Sequence, residues 1–208
     1  MAYRDFTLKD LDKKFGIESQ VVSLFDVSNI ARISASEWLS YSLNLGQQLQ
    51  LITEKAKSEA IVMPILLELK NRNNNFFTIF SGSTLKVDKE RGLNGECDFI
   101  LSAKPKTPYI DTPIISVVEA KKGELELGMG QCAAQMYAAK LENDEDGKSI
   151  DVIYGCVTNG REWQFLKLEN NLISIDEKIY PIDQLETILG IFQHIIDYYK
   201  SILEPVAA

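Results

Sequence analysis

The segment Ile114–Ala120, IISVVEA, constrains this chain more than any other, because Ile114, Ile115, Val117 and Val118 are all apolar and β-branched. Such a run reads as a strand buried on both faces, which requires a sheet with layers packed on either side. The run nevertheless ends Glu119-Ala120-Lys121 before reaching Gly123. Side chains alternate along a strand, so Ile115, Val117, Glu119 and Lys121 share one face, while Ile114, Ser116, Val118 and Ala120 share the other. An acid and a base therefore become neighbours at the end of a core strand, with Lys122 out of phase.

The surrounding pattern supplies the rest of the sheet. FFTIFSGSTLKV and CDFILSA precede this strand, and IDVIYGCVT, EWQFLKLE and LISID follow it, each short and rich in β-branched or aromatic residues. The Asn-Gly of TNGR predicts a tight hairpin between IDVIYGCVT and EWQFLKLE. LGMGQCAAQMYAAKLEN reads as a helix whose two glycines loosen its start. Short helices are predicted at Leu8–Phe15 and around Gln20–Phe25, followed by two more across ASEWLSYSLNL and TEKAKSEAIVMPILLELK. Thr53 is placed to cap the latter, Glu54 suits its first turn, and Pro64 predicts a kink or break near Met63. A last helix is expected from about Ile182 to Leu203. The core order of helix, three strands, helix and strand defines an α/β fold with a mixed central sheet flanked by helices.

A length of 208 residues, with 45% hydrophobic and 25% charged, suits one domain over 1–208. Its core is expected at about 53–158, with N-terminal helices across 7–50 and a C-terminal hairpin and helix across 159–203. No apolar run reaches the roughly 18 to 20 residues of a membrane helix, and the charged start is unlike a signal peptide, so a soluble cytoplasmic protein is expected. Cys97, Cys132 and Cys156 are odd in number and lack a CxxC pairing, which fits buried thiols better than disulfides or a thiolate zinc site. The single His194 rules out mechanisms that need two histidines. A net charge of −8 weighs against a generic nucleic-acid binder, although a site that gathers carboxylates for a metal adds negative charge by design.

The chemistry concentrates on two strands. Asp98, Ile100 and Ser102 share a face, and the loop KPKTPYIDTP has its centre between Pro108 and Tyr109, which is also the midpoint of Asp98 and Glu119. A symmetric hairpin then sets the two acids opposite each other, with Cβ atoms about 4.5 to 5.5 Å apart. Like charges at that separation need a compensator. Mg²⁺, a hard ion that takes oxygen ligands and keeps several waters, is the natural one, with Mn²⁺ as a substitute. The Lys121 ammonium would stand beside a metal-bound water and stabilise charge on a phosphate. The blander account is a surface ion pair where a strand emerges into solvent.

Further candidates lie on helices and at one end of the sheet. Glu59 shares a predicted helical face with Val62, Met63 and Leu66, and so is expected to face the sheet, whereas Glu68 points away. Gln131 and Gln135 lie one turn apart, and Gln131, nearer the helix start, is the better placed to reach the site. In a meander, Lys86, Lys89 and Arg91 fall at the same end as Asp98 and Glu119, predicting a positive rim for nucleic acid, while Lys104 and Lys106 go to the far end.

These residues, in this order, resemble the PD-(D/E)XK nuclease superfamily, the restriction-endonuclease-like fold. Its αβββαβ core corresponds to about Thr53 through Thr158, Asp98 to the acid of its second core strand, and Glu119-Ala120-Lys121 to its (D/E)xK. Glu59 fits the helix acid of many members, and Gln131 fits the polar residue on the helix after the third strand. SEAIVMPILLEL, LNGECDFILS, VVEAKKGELELGMGQCAAQMYAAK and IYGCVTNGREWQF are similar to a group of uncharacterised bacterial members. Cys97 stands where a proline often precedes the acid. The QxxxY pattern of exonuclease-like branches is not met, since Gln135 follows Gln131 by four and Tyr137 by six. The resemblance implies a metal-dependent phosphodiesterase acting on nucleic acid, with a DNA endonuclease expected, and a homodimer where two strands are to be cut. The rival expectation is a nuclease-fold module that only binds or assembles.

Overall fold

The β-branched run Ile114–Ala120 forms strand β4, and every residue in it is buried. A computed structural model describes residues 2–104, 107–148 and 150–203. Along the chain come α1 (Leu8–Phe15), β1 (Glu18–Val22), α2 (Glu37–Gln47), α3 (Glu54–Lys57), a π-helical turn (Ser58–Val62), α4 (Met63–Arg72), β2 (Thr78–Asp88) and β3 (Leu93–Ser102). After β4 follow α5 (Glu126–Glu145), β5 (Val152–Thr158), β6 (Glu162–Glu169), β7 (Leu172–Asp176), β8 (Tyr180–Pro181) and α6 (Leu185–Leu203). The strands make one open, mixed eight-stranded sheet in the order β1-β7-β6-β5-β4-β3-β2, with β8 beside β6. β4 pairs parallel with β5 and antiparallel with β3, so it lies inside the sheet. Among the described residues no helix is long and apolar enough to cross a membrane.

Helices cover the sheet as the buried strand requires. α5 packs on β4 and β5, and its small residues Ala133, Ala134, Ala138 and Ala139 are fully buried, which brings its backbone close to the sheet. The predicted hairpin at Asn159-Gly160 is present, with Gly160 at φ +80°, a conformation the missing Cβ makes accessible.

One expectation is corrected and a second is met in part. The segment predicted as a helix around Gln20–Phe25 instead contributes Gln20 to Val22 to the edge strand β1, which runs parallel to β7 with Glu18 opposite Leu172. Val21 and Val22 suit either state, and the open edge of β7 decides the outcome. Pro64 does not break the second long helix. Helical backbone continues from Glu54 to Arg72, and the irregularity falls just before the proline, where the Met63 N–H donates to the Ser58 carbonyl across a π turn. α2 closes on that turn at Gly46, where a Cβ would stand 2.5 Å from the Ala60 carbonyl oxygen. Lys106, expected at the far end of the sheet, lies outside the described residues. Lys104 pairs there with Asp111 at 3.2 Å.

Candidate active site

The β3–β4 hairpin sets the site's geometry. Phe99 pairs with Val118, Ile100 with Val117 and Leu101 with Ser116, a register that continued by one residue puts Asp98 opposite Glu119. The irregularity in the ladder lies at the other end, between Leu101 and Ser102, close to the cis Thr112–Pro113 bond, so it leaves the acidic pair in register. The two carboxyl groups are near enough for each to bear on the ionisation of the other. The Ala120 N–H donates to Asp98 Oδ2 at 2.8 Å, fixing that carboxylate against the end of β4.

Lys121 completes the cluster. Its Nζ donates to Glu119 Oε1 at 2.7 Å and to Gln131 Oε1 at 2.9 Å, so the base and the first glutamine of α5 meet as expected. The lysine stem lies against the start of α5 because Gly128 has no side chain. A Cβ there would stand 2.7 Å from Val157 Cγ1 and 3.0 Å from Lys121 Cγ. The glycine read in sequence as a loosening of the helix is a contact point for the site.

Burial governs the electrostatics. Glu119 is 1% exposed, and its carboxyl is pushed up to about 8, first by burial and then by the Asp98 carboxylate, against the pull of Lys121 and Gln135. Burial likewise raises Asp98, while the Ala120 N–H and Glu119 pull it back. Two adjacent acids held reluctant to ionise form a site short of positive charge, which a divalent cation would supply. Among the described residues no group of three or more His, Cys, Asp or Glu side chains converges as a metal cage. Asp98 and Glu119 would therefore be the side-chain ligands, leaving further positions for water, as suits Mg²⁺.

Not every candidate assembles here. A cavity of about 390 Å³ in front of the acids is lined by Ala2, Tyr3, Arg4, Glu54, Gly95, Glu96, Asp98, Glu119, Lys121 and Gln131. Glu59 is absent from it. Its side chain is 68% exposed and lies 3.8 Å from Lys55 on the outer face of the helix. The π turn explains this, since it breaks the 100° phase that aligned Glu59 with Val62 and Leu66. The helix acid at the cavity is Glu54, whose Oε1 accepts from the Lys122 N–H at 3.0 Å. Glu68, expected to point away, is instead 3% exposed. It accepts from the N–H and hydroxyl of Ser36, the N-cap of α2, and pairs with Arg72 at 2.6 Å.

Gln135 matters more than its sequence position suggested. It is fully buried, its Nε2 donates to Glu119 Oε2 at 2.9 Å, and its Oε1 has no protein partner. The i, i+4 spacing from Gln131 was the available signal, and the two amides engage the two ends of the Glu119–Lys121 pair.

Lys86, Lys89 and Arg91 lie at the turn end of the β2–β3 hairpin. Lys86 pairs with Asn94, four residues along β3 from Asp98, roughly 13 Å away at strand rise. Arg91 sits 4.5 Å over the ring of Phe15. None of the three lines the cavity. Cys97, Cys132 and Cys156 are buried free thiols. No protein-family model and no curated protein matches this chain.

Proposed function

We propose that the chain is a Mg²⁺-dependent phosphodiesterase that cuts nucleic acid, a DNA endonuclease with a restriction-endonuclease-like core, working in the cytoplasm. One observation carries the reading: Asp98 and Glu119 meet in register at the end of a core strand, with Lys121 and Gln131 beside them. An ion pair at a strand's exit would sit in solvent and need no second acid, whereas this one is buried and faces a cavity.

Bound Mg²⁺ would polarise a phosphoryl oxygen and make a coordinated water acidic, and Mn²⁺ would serve in its place. The protein's share follows from its contacts. Asp98 and Glu119 would hold the ion, which would remove the repulsion between them. With Glu119 engaged in that way, the Lys121 ammonium, steadied by Gln131, would be free to position the attacking water and to stabilise charge on the phosphate. Gln135 fixes the orientation of Glu119 from behind. Cutting both strands of a duplex takes two such sites, which a homodimer would provide.

The net charge of −8 favours a second reading, a nuclease-fold module that binds or assembles without cleaving. Incubation with supercoiled plasmid, single-stranded DNA and RNA in Mg²⁺, Mn²⁺ or chelator separates the two. The enzyme gives chelator-sensitive cleavage of at least one substrate. Binding without cleavage under either metal identifies the module.

A further inference from the structure

Beside the acidic cavity runs a second, larger cleft of about 1040 Å³, and three cations from three separate elements face it. Lys57 comes from the end of α3, Lys122 from the loop after β4, and Arg161 from the β5–β6 turn. None of the three forms an ion pair among the described residues, although the chain carries 30 acidic residues against 22 basic. Their closeness has a cost: Lys57 is lowered first by burial and then by the charge of Arg161, with Lys122 adding to it and Glu54 opposing it. Glu124, Glu162 and Asp183 share the cleft and match the three cations in formal charge, and Glu162 is held by the Asn159 amide at 3.0 Å.

The cations are built in rather than adrift. Lys57 Nζ donates to the Lys122 carbonyl at 2.7 Å, and the Asn159 amide donates to the Gly123 carbonyl at 3.0 Å, tying the β4–α5 loop to both helix and turn. Asn159 Oδ1 accepts from the N–H groups of Arg161 and Glu162, which holds the turn in shape. Gly160 packs on Lys57, where a Cβ would lie 3.4 Å from the lysine Cβ. The cleft also adjoins the acids directly. Lys121 belongs to the cavity, Lys122 to the cleft, and Glu54 at the cavity wall accepts from the Lys122 N–H.

We infer that this cleft carries the sugar-phosphate backbone of a nucleic-acid strand toward or away from Asp98 and Glu119, with Lys57, Lys122 and Arg161 contacting successive phosphates. The inference rests on the nuclease reading and deepens it, moving the main phosphate contacts from the Lys86, Lys89 and Arg91 hairpin end to the side of the site facing α3 and the β5–β6 turn. A single small anion would leave most of so open a cleft unfilled, whereas a polyanion with regularly recurring charge meets all three cations.

The test measures binding of labelled 30-residue single-stranded DNA, duplex DNA and single-stranded RNA in chelator, across a salt series. Lys57→Gln, Lys122→Gln and Arg161→Gln are combined in one variant, and Lys86→Gln, Lys89→Gln and Arg91→Gln in a matched one. Each lost phosphate contact lowers the salt slope by about 0.7 to 0.9, so the cleft variant should lose about two to three units of slope and bind about a hundred- to five-hundredfold more weakly near 0.1 M salt. The hairpin variant should stay within about threefold of wild type. Arg161→Glu, a single change in an exposed turn, checks the result with both lysines of the cleft still in the chain. Equal binding by wild type, the cleft variant and Arg161→Glu overturns the cleft while leaving cleavage at Asp98 and Glu119 intact. Absence of both binding and cleavage in the wild type overturns the cleft together with the nuclease reading. If the three probes weaken in parallel, the shared phosphate backbone is what the cleft holds. Weakening of one alone points to base or sugar recognition and contradicts the inference.

Discussion

Replacing Glu119 by Gln should make the metal-free protein more stable in alkali. The carboxyl ordinarily titrates near 4.5 and is pushed up to about 8 in the fold. Between those values the folded chain holds a proton that the unfolded chain has released, so stability is full below about pH 4.5 and falls as pH rises toward 8. At about 1.36 kcal/mol per pH unit, the whole window amounts to about 4 to 5 kcal/mol. The groups facing Glu119 set that outcome together: Asp98 from β3 adds to the cost, while Lys121 and Gln135 reduce it. Glutamine keeps the shape and removes the ionisation, so the variant should gain about 2 to 4 kcal/mol over wild type at pH 9 and little at pH 5. Urea denaturation in chelator at the two pH values reads this directly. Adding Mg²⁺ at pH 9 should restore the wild type, by about 2.7 kcal/mol at a hundredfold excess over its dissociation constant, and leave Glu119→Gln unmoved. Parallel loss of stability in both proteins between pH 5 and pH 9 would refute the account of two acids compressed in a cation site.

Lys121→Ala should abolish most cleavage while metal binding persists, whereas Glu119→Ala should lose both, as titration calorimetry with Mn²⁺ beside a plasmid assay will show. Glu59→Ala should change neither stability, within about 0.5 kcal/mol, nor cleavage, because its side chain is solvent-exposed and outside the cavity. Gly128→Ala should cost about 1 to 3 kcal/mol by overpacking against Val157 and should also lower cleavage by displacing the Lys121 stem, read by thermal denaturation and turnover together.

The pairing of Asp98 with Glu119 was legible because two strict rules act there, the two-residue period of a strand and the symmetry of a hairpin loop. Lys121 and Gln131 followed from the same strand end and the helix after it. Glu59 misled because helical phase was carried through Ser58–Val62 at 100° per residue, and the residue pattern there bears no mark of a π turn. Glu54 lay in plain view as a first-turn acid, but its approach to the cavity depends on how that helix docks. The Gln20–Phe25 segment went astray for a related reason: β7, far along the chain, offers the open edge that makes it a strand. The cationic cleft was the least legible feature, since Lys57, Lys122 and Arg161 are scattered over more than a hundred residues and meet only in the fold.

The most direct test of the central claim is anomalous diffraction from crystals soaked in Mn²⁺ near pH 8.5, above the value of about 8 to which Glu119 is pushed. The account predicts an ion within about 2.0 to 2.3 Å of carboxylate oxygens from both Asp98 and Glu119, with the Lys121 ammonium facing its open side. An empty pair at saturating Mn²⁺, with Lys121 still bonded to Glu119, would contradict it.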